Sequence, residues 1–464
     1  MLPRATTDSG PRGPLRRSVS GPLTSPAPGS VRNPAIGSLS RRTALRAGAT
    51  GALALALAAC GGDPGAATAG AGAGTVEFVF RGDINQRKGF EALFEEFGKG
   101  HPEVDLRASA KSGTWAQFAY AVATQIAGGQ PPDIVQIATE GQQLFVDKDV
   151  LAPLDPLIEA DSDVVQDYYD DIPENLITWT KKYASKDGGT FYIPGGFNPI
   201  VQYNRTDLLD EAGVDLPEEG WDWGDLMEAG RRLKSQDAFL MTIGNGYWSD
   251  ILPWLTNNGT SSLDEDWTAA TINSPEAIEA ATMARRIVER GYAPEPGGTF
   301  DAPTLLQQGK LASYHDGAFG IANAQRIELV DDIRVTPFPN NGVHGSPVGW
   351  DAWDITRASQ HTSEAWTFIK YLMSPEGGSF LARSGGTIVP ARRSIATSDD
   401  FLKTAPKGSQ WLADSLEFAT PVPSPERGPE IQDIVEEGWL QVIAGYADPK
   451  TQLNRTYDKI GPLL

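Results

Sequence analysis

A single cysteine in 464 residues excludes an intramolecular disulfide framework and every multi-cysteine zinc or iron–sulfur site. Histidine is almost as scarce. His101, His315, His344 and His361 include no pair four residues apart, so the zincin metal motif is missing and no metal or cofactor is expected. Positive charge is also short, with 39 Lys and Arg against 60 Asp and Glu and a net charge of −21, which argues against general nucleic-acid binding. What remains is a folded composition, 40% hydrophobic and 21% charged, in a chain longer than one core usually organises. Two lobes or domains are expected. No fixed-period repeat interrupts the chain.

The positive charge is unevenly placed. Residues 1–59 carry eight arginines and one acid, Asp8, and no aromatic side chain. Ser40-Arg41-Arg42 leads into the apolar run 47–59, 13 residues of Ala, Gly, Leu and Thr. That is too short for the ~20 residues of a spanning helix. A basic stretch before a short apolar one is the layout of an export signal, and the paired arginines resemble a twin-arginine signal. The run ends in Leu57-Ala58-Ala59-Cys60, which resembles a lipobox, so Cys60 is expected to be lipidated after removal of 1–59. The remaining chain would carry −28, and residues 60–74 would form a flexible tether.

Beyond the tether, strand and helix patterns alternate. Val76–Phe80 reads as a strand, and Phe90, Leu93, Phe94 and Phe97 mark one face of a helix. Val104–Ala108 reads as a second strand, Trp115, Phe118, Ala119, Val122 and Ile126 as a second helical stripe, and Ile134–Ala138 as a third strand. The alternation predicts a parallel α/β sheet. Asp222 and Ser274 are placed as helix N-caps, Phe239–Ile243 reads as a strand, and Thr362 or Ser363 opens a helix ended by Ser374-Pro375. The acids of 161–171 lack the glycine of a calcium loop and read as a solvated face.

Seven stretches in order resemble the extracellular solute-binding proteins of family 1, the carbohydrate-capturing lipoproteins of ABC importers: 91–104 (EALFEEFGKGHPEV), 128–134 (GGQPPDI), 189–207, 221–233, 310–319 (KLASYHDGAF), 349–355 with 365–374, and 386–392 (GTIVPAR). The resemblance implies an α/β, two-lobe periplasmic-binding-protein-like fold of type II whose chain crosses the hinge about three times. Mapped onto this chain, lobe one is 75–197 plus 346–374, and lobe two is 198–345 plus 375–464. It also implies a monomeric, non-enzymatic receptor, tethered to the outer face of the cell membrane, that closes on a small-molecule solute and delivers it to permease subunits.

Sugars pack their C–H faces on aromatic rings and bond their hydroxyls to carboxylates and amides. In open α/β sheets the loops after strands are where such groups meet ligand. The candidate ligand-binding residues are Asp83, Glu140, Phe197, Asn198, Asn245, Tyr247, Trp248, Phe319, Trp350 and Asp351. Asp83 and Glu140 are equally suited to helix capping, Phe319 stands where the family usually carries Trp, and each aromatic also suits a core. Trp366 and Trp439 lie in helical stripes and read as core. Trp350, just after Gly349, is expected to stack on a sugar ring, so that its truncation lowers affinity more than stability. Two other functions are weighed against the resemblance, which favours sugars: the same scaffold binding a polyamine, a glycerol-phosphate or a peptide, and a secreted glycoside hydrolase with two carboxylates, for which no eight-fold βα recurrence is seen.

Overall fold

The computed structural model describes residues 74–298, 301–384 and 388–464. The expected signal segment, Cys60 and the tether up to residue 73 lie outside the described residues. Ten strands occur among those described: β1 (Thr75–Arg81), β2 (Asp105–Lys111), β3 (Ile134–Ala138), β4 (Ile193–Asn198), β5 (Val201–Arg205), β6 (Ser313–Asp316), β7 (Ile333–Pro337), β8 (Ser346–Ile355), β9 (Val389–Pro390) and β10 (Ala419–Pro421).

The larger sheet runs β2-β1-β3-β8-β4-β9, with β10 pairing the start of β8. Its first three strands are parallel, and β8 returns antiparallel between β3 and β4. The sheet is therefore mixed, not purely parallel. Central strand β1 is buried on both faces because helices cover both. On one side the helix Ile84–Gly100 lays Phe90, Leu93, Phe94 and Phe97 against Phe78, Phe80 and Phe368, with Phe94 and Phe368 edge to face at 5.2 Å. On the other, the helix Trp115–Ala127 packs Phe118, Ala119 and Val122 onto Val79, Val135 and Ile137. Thr114 caps that helix, its hydroxyl accepting from the Gln117 N–H at 3.2 Å.

The smaller sheet, β6-β5-β7, is antiparallel throughout. Its centre, Val-Gln-Tyr-Asn-Arg, is wholly buried although three of the five residues are polar. Neighbours satisfy Asn204, whose Nδ2 donates to Thr336 Oγ1 at 3.1 Å and whose Oδ1 accepts from Ser313 Oγ at 2.7 Å. Asp222 and Ser274 cap the helices Trp223–Lys234 and Pro275–Glu289 as expected. Phe239–Ile243 is not a strand. Only Phe239 bridges, to Leu311, and the Leu240 N–H turns away to the Tyr292 carbonyl.

The chain passes from the larger sheet to the smaller between β4 and β5, and returns between β7 and β8. The third passage lies later than the expected 374/375 boundary. The helix Pro375–Arg383 packs on Ile84–Gly100, and β9 pairs with β4, so both belong with lobe one. Arg392 is held there by Asp167 at 2.6 Å and Asp171 at 3.0 Å. The acids of 161–171 are thus partly engaged inside lobe one, with Asp161 accepting from Trp366 Nε1 and Lys370 Nζ. Lobe two resumes near Lys407, whose carbonyl accepts from the Val335 N–H at 2.8 Å. Gly408 permits that approach: its φ is +88°, and a Cβ there would lie 2.2 Å from the Val335 carbonyl oxygen.

The lobes also meet away from these passages. Lys182 of the lobe-one helix Glu174–Tyr183 reaches Glu265 at 3.0 Å and Asp266 at 2.8 Å, and Tyr183 stacks on Trp267 at 3.9 Å and 11°. Trp267 sits at φ +59°, uncommon for a bulky side chain, in a turn that Asp264 ties by accepting from Thr268 and Ala269 N–H groups.

Candidate functional site

A cavity of about 380 Å³ lies where strand ends of the larger sheet face lobe two. That is within the usual range for small-molecule sites. Lobe one supplies Arg81 from the end of β1, Trp115 from a helix start and Glu140 from the first turn after β3. Arg81 donates Nε to the Gly113 carbonyl at 2.7 Å and lies 5.0 Å from the Trp115 ring centre, so its charge is held over the indole face. Burial pushes the Glu140 carboxyl above its ordinary range, partly offset by its own backbone N–H and by Arg81. Thr139 registers the neighbouring strand: its hydroxyl donates to the Trp350 carbonyl at 3.0 Å and accepts from the Trp350 N–H at 2.9 Å.

Asn198 is the last residue of β4, at the passage between the lobes, and lobe two supplies Trp248 and Phe319. Asn198 Oδ1 accepts from the Ala318 N–H at 2.8 Å, an approach that requires Gly317, where a Cβ would fall 2.2 Å from that oxygen. Trp248 projects from a five-residue π-helical turn, Tyr247–Ile251, and donates Nε1 to the Pro347 carbonyl at 3.3 Å. Such turns are rare and recur at functional sites.

Six of the ten expected residues therefore line one cavity: Glu140, Asn198, Trp248, Phe319, Trp350 and Asp351. Four do not. Asp83 is exposed and forms a capping box, its carboxylate accepting from the Gln86 N–H at 3.0 Å while Gln86 Oε1 accepts from the Asp83 N–H at 3.0 Å. Phe197 is buried in the core opposite Trp350 in the β4–β8 ladder. Asn245 turns to the Glu436 carbonyl at 3.4 Å, and Tyr247 bonds Ser262 Oγ at 2.5 Å while its N–H reaches Glu436. Trp350 itself is the fifth residue of β8 rather than its opening, is 1% exposed, and tilts against Trp179 at 5.7 Å. The cavity adds residues that sequence reading passed over: Arg81, Trp115, Gln136, Tyr168, Trp353 and Arg392.

Residues 82–379 match the family described as bacterial extracellular solute-binding protein. The chain belongs to that family. Among curated relatives of this solute-binding protein is the sn-glycerol-3-phosphate-binding periplasmic protein of Agrobacterium fabrum, 20% identical over 396 residues, covering 80% of this chain and 87% of the relative. The fold matches an ABC substrate-binding protein from Listeria monocytogenes solved in complex with cycloalternan, at a TM-score of 0.71 and 22% identity over 84% of this chain and 98% of that one. It also matches the sugar-binding protein MalE of Xanthomonas citri, at a TM-score of 0.71 and 20% identity over 84% and 97%. The fold of this solute-binding protein is thus the two-lobe periplasmic-binding-protein type. Among the described residues no helix is long and apolar enough to cross a membrane.

Burial pushes the Asp351 carboxyl up to about 7, against which the Gln136 amide and backbone N–H groups act only in part. In the unfolded chain it titrates near 3.9, so between about pH 4 and 7 the folded state holds the extra proton and stability falls as pH rises. The full effect is on the order of 4 kcal/mol. Asp351→Asn should remove this contribution. Urea midpoints measured from pH 4.5 to 7.5 should decline less steeply in the variant than in the parent, and parallel declines would mean that Asp351 is ionised throughout.

Proposed function

We propose that this protein is the receptor of an ABC importer, capturing a carbohydrate between its lobes and delivering it to a membrane permease without covalent chemistry. The observation that carries this reading is the pairing, in one cavity, of the Trp115, Trp248 and Phe319 rings with the Glu140 and Asp351 carboxylates and the Asn198 and Gln136 amides. Rings suit the apolar face of a sugar, and carboxylates and amides suit its hydroxyls. Residues from both lobes line the space, so a ligand there can favour the lobe-together state only by contacting both. The solved relatives that bind cycloalternan or are named for sugars support the same class.

The glycerol-phosphate reading has the Agrobacterium relative in its favour. The charges oppose it. Arg392 is paired with Asp167 and Asp171, Arg81 is engaged by the Gly113 carbonyl and Trp115, and two carboxylates face the same space. A phosphate would find both lining arginines already engaged, and above pH 7 it would meet the Asp351 charge as well. Thermal unfolding with maltose, maltotriose, arabino-oligosaccharides and sn-glycerol-3-phosphate separates the readings, since a ligand at 100 times its Kd adds about 2.7 kcal/mol. A shift with a sugar is expected; a shift with the phosphate alone would overturn the carbohydrate reading.

The export and tether reading rests on the arginine-rich leader and on Cys60 after Leu57-Ala58-Ala59. Cys60→Ala should move the protein from the membrane fraction to the medium. Retention on the membrane would mean that another segment anchors it.

A further inference from the structure

The cavity does not stop at the cleft. Its lining includes Leu372 of the helix Thr362–Met373, Gly378, Leu381 and Ala382 of the helix Pro375–Arg383, and residues of β8, so this end of it, a chamber, is built from lobe one. Its walls are apolar, with Phe90, Leu372, Leu381 and Ile388 among them. Its floor is polar. Asp351 and Trp353 stand two residues apart on β8 and so share a face. Gln136, the cross-strand partner of Trp353, donates Nε2 to Asp351 Oδ2. Two polar atoms are then left: Asp351 Oδ1, an acceptor, and Trp353 Nε1, a donor, both buried and without a protein partner. The residues that carry them are 4% and 2% exposed. Buried polar groups are ordinarily satisfied, and leaving one unpaired is costly.

We propose that this lobe-one chamber is a subsite for a ligand hydroxyl, which bridges the Asp351 carboxyl and the Trp353 indole N–H. The inference deepens the carbohydrate reading of the cleft and rests on it. The chemistry of the pair selects the group. A hydroxyl accepts from the indole and donates to the carboxylate, satisfying both atoms at once. With the carboxyl ionised, above pH 7, an ammonium can serve only the carboxylate, and a phosphate serves the indole while facing the carboxylate's charge. Tyr168 and Arg392, which also line the cavity, are already engaged: Tyr168 donates its hydroxyl to the Pro194 carbonyl at 2.5 Å, and Arg392 is held by Asp167, Asp171 and the Met373 carbonyl. Burial that raises the Asp351 carboxyl to about 7 fits the same partner, because a hydroxyl can also accept from the protonated form.

Three small probes sharing one ring test the chamber apart from any sugar: cyclohexanol, cyclohexylamine and cyclohexyl phosphate, titrated at pH 8.5 into the purified protein by ligand-observed NMR. Cyclohexanol should bind saturably and more tightly than the amine, with the phosphate ester weakest. Trp353→Phe, which keeps the ring but removes the N–H, should weaken cyclohexanol about tenfold. Ala382→Phe, which fills the chamber from the opposite wall, should abolish its binding, and circular dichroism identifies any variant that fails to fold. The proposal is overturned if cyclohexanol does not bind, if the folded variants bind it as the parent does, or if the phosphate ester matches it. Cyclohexanol bound in this pattern by a protein that ignores every sugar would leave the hydroxyl subsite standing and overturn the carbohydrate reading alone.

Discussion

Replacing Trp350 by alanine is expected to lower the unfolding free energy by about 3–5 kcal/mol, the range for truncating a buried aromatic. The ring is 1% exposed, tilts on Trp179, and lies on the strand whose main chain Thr139 fastens. Its loss leaves a void between β8 and the helix Glu174–Tyr183 and loosens the neighbour of Asp351. Any fall in affinity should follow from that loosening. This reverses the order of effects expected from the sequence, where Trp350 was placed at a strand mouth. Denaturant unfolding decides the matter: a loss below about 1 kcal/mol accompanied by abolished sugar binding would return Trp350 to the ligand.

Trp248 should behave in the opposite way. It is half-buried, belongs to lobe two, and is held by one hydrogen bond to the Pro347 carbonyl. Trp248→Ala should weaken binding of the sugar identified by thermal unfolding by about 2–4 kcal/mol, some 30- to 1,000-fold in Kd, as for a central aromatic contact. Stability should fall by only about 1–2 kcal/mol, because less of the ring is buried. Titration calorimetry showing parental affinity would remove Trp248 from the site.

The contrast between these two tryptophans shows where the sequence was legible. Apolar-rich runs placed β1 and β3 almost to the residue, because a strand covered on both faces shows as a run broken here only by Glu77 and Gln136. Residues just after those strands were then found by position. The Asp83 cap carried its own signal, an acid three residues before Gln86, the capping-box spacing. Trp353 was also within reach: if Asp351 faces a site, strand alternation places residue 353 on the same face. The directions of Asn245, Tyr247 and Trp248 were not. A π-helical turn departs from the 3.6-residue period that assigns side chains to faces, so the one ring of that turn that lines the cavity cannot be chosen by spacing. Nor did anything local connect Arg392 with Asp167 and Asp171, more than 220 residues earlier. That pairing exists only after β9 joins the larger sheet, and it is why the third passage was placed too early.

The stack of Tyr183 on Trp267, with Lys182 between two acids, bears on the timing of transport. None of these side chains lines the cavity, so their attraction is the same whether it is full or empty. Where such a contact is made only with the lobes together, it lowers the free energy of that state in the unloaded receptor, and the apparent affinity improves as the population of that state rises. A contact of that kind also has to be broken before the lobes part. Its weight therefore falls on the lifetime of the loaded complex: the same contact that makes the receptor quick to hold a dilute solute makes it slow to let go, until a partner pulls the lobes apart.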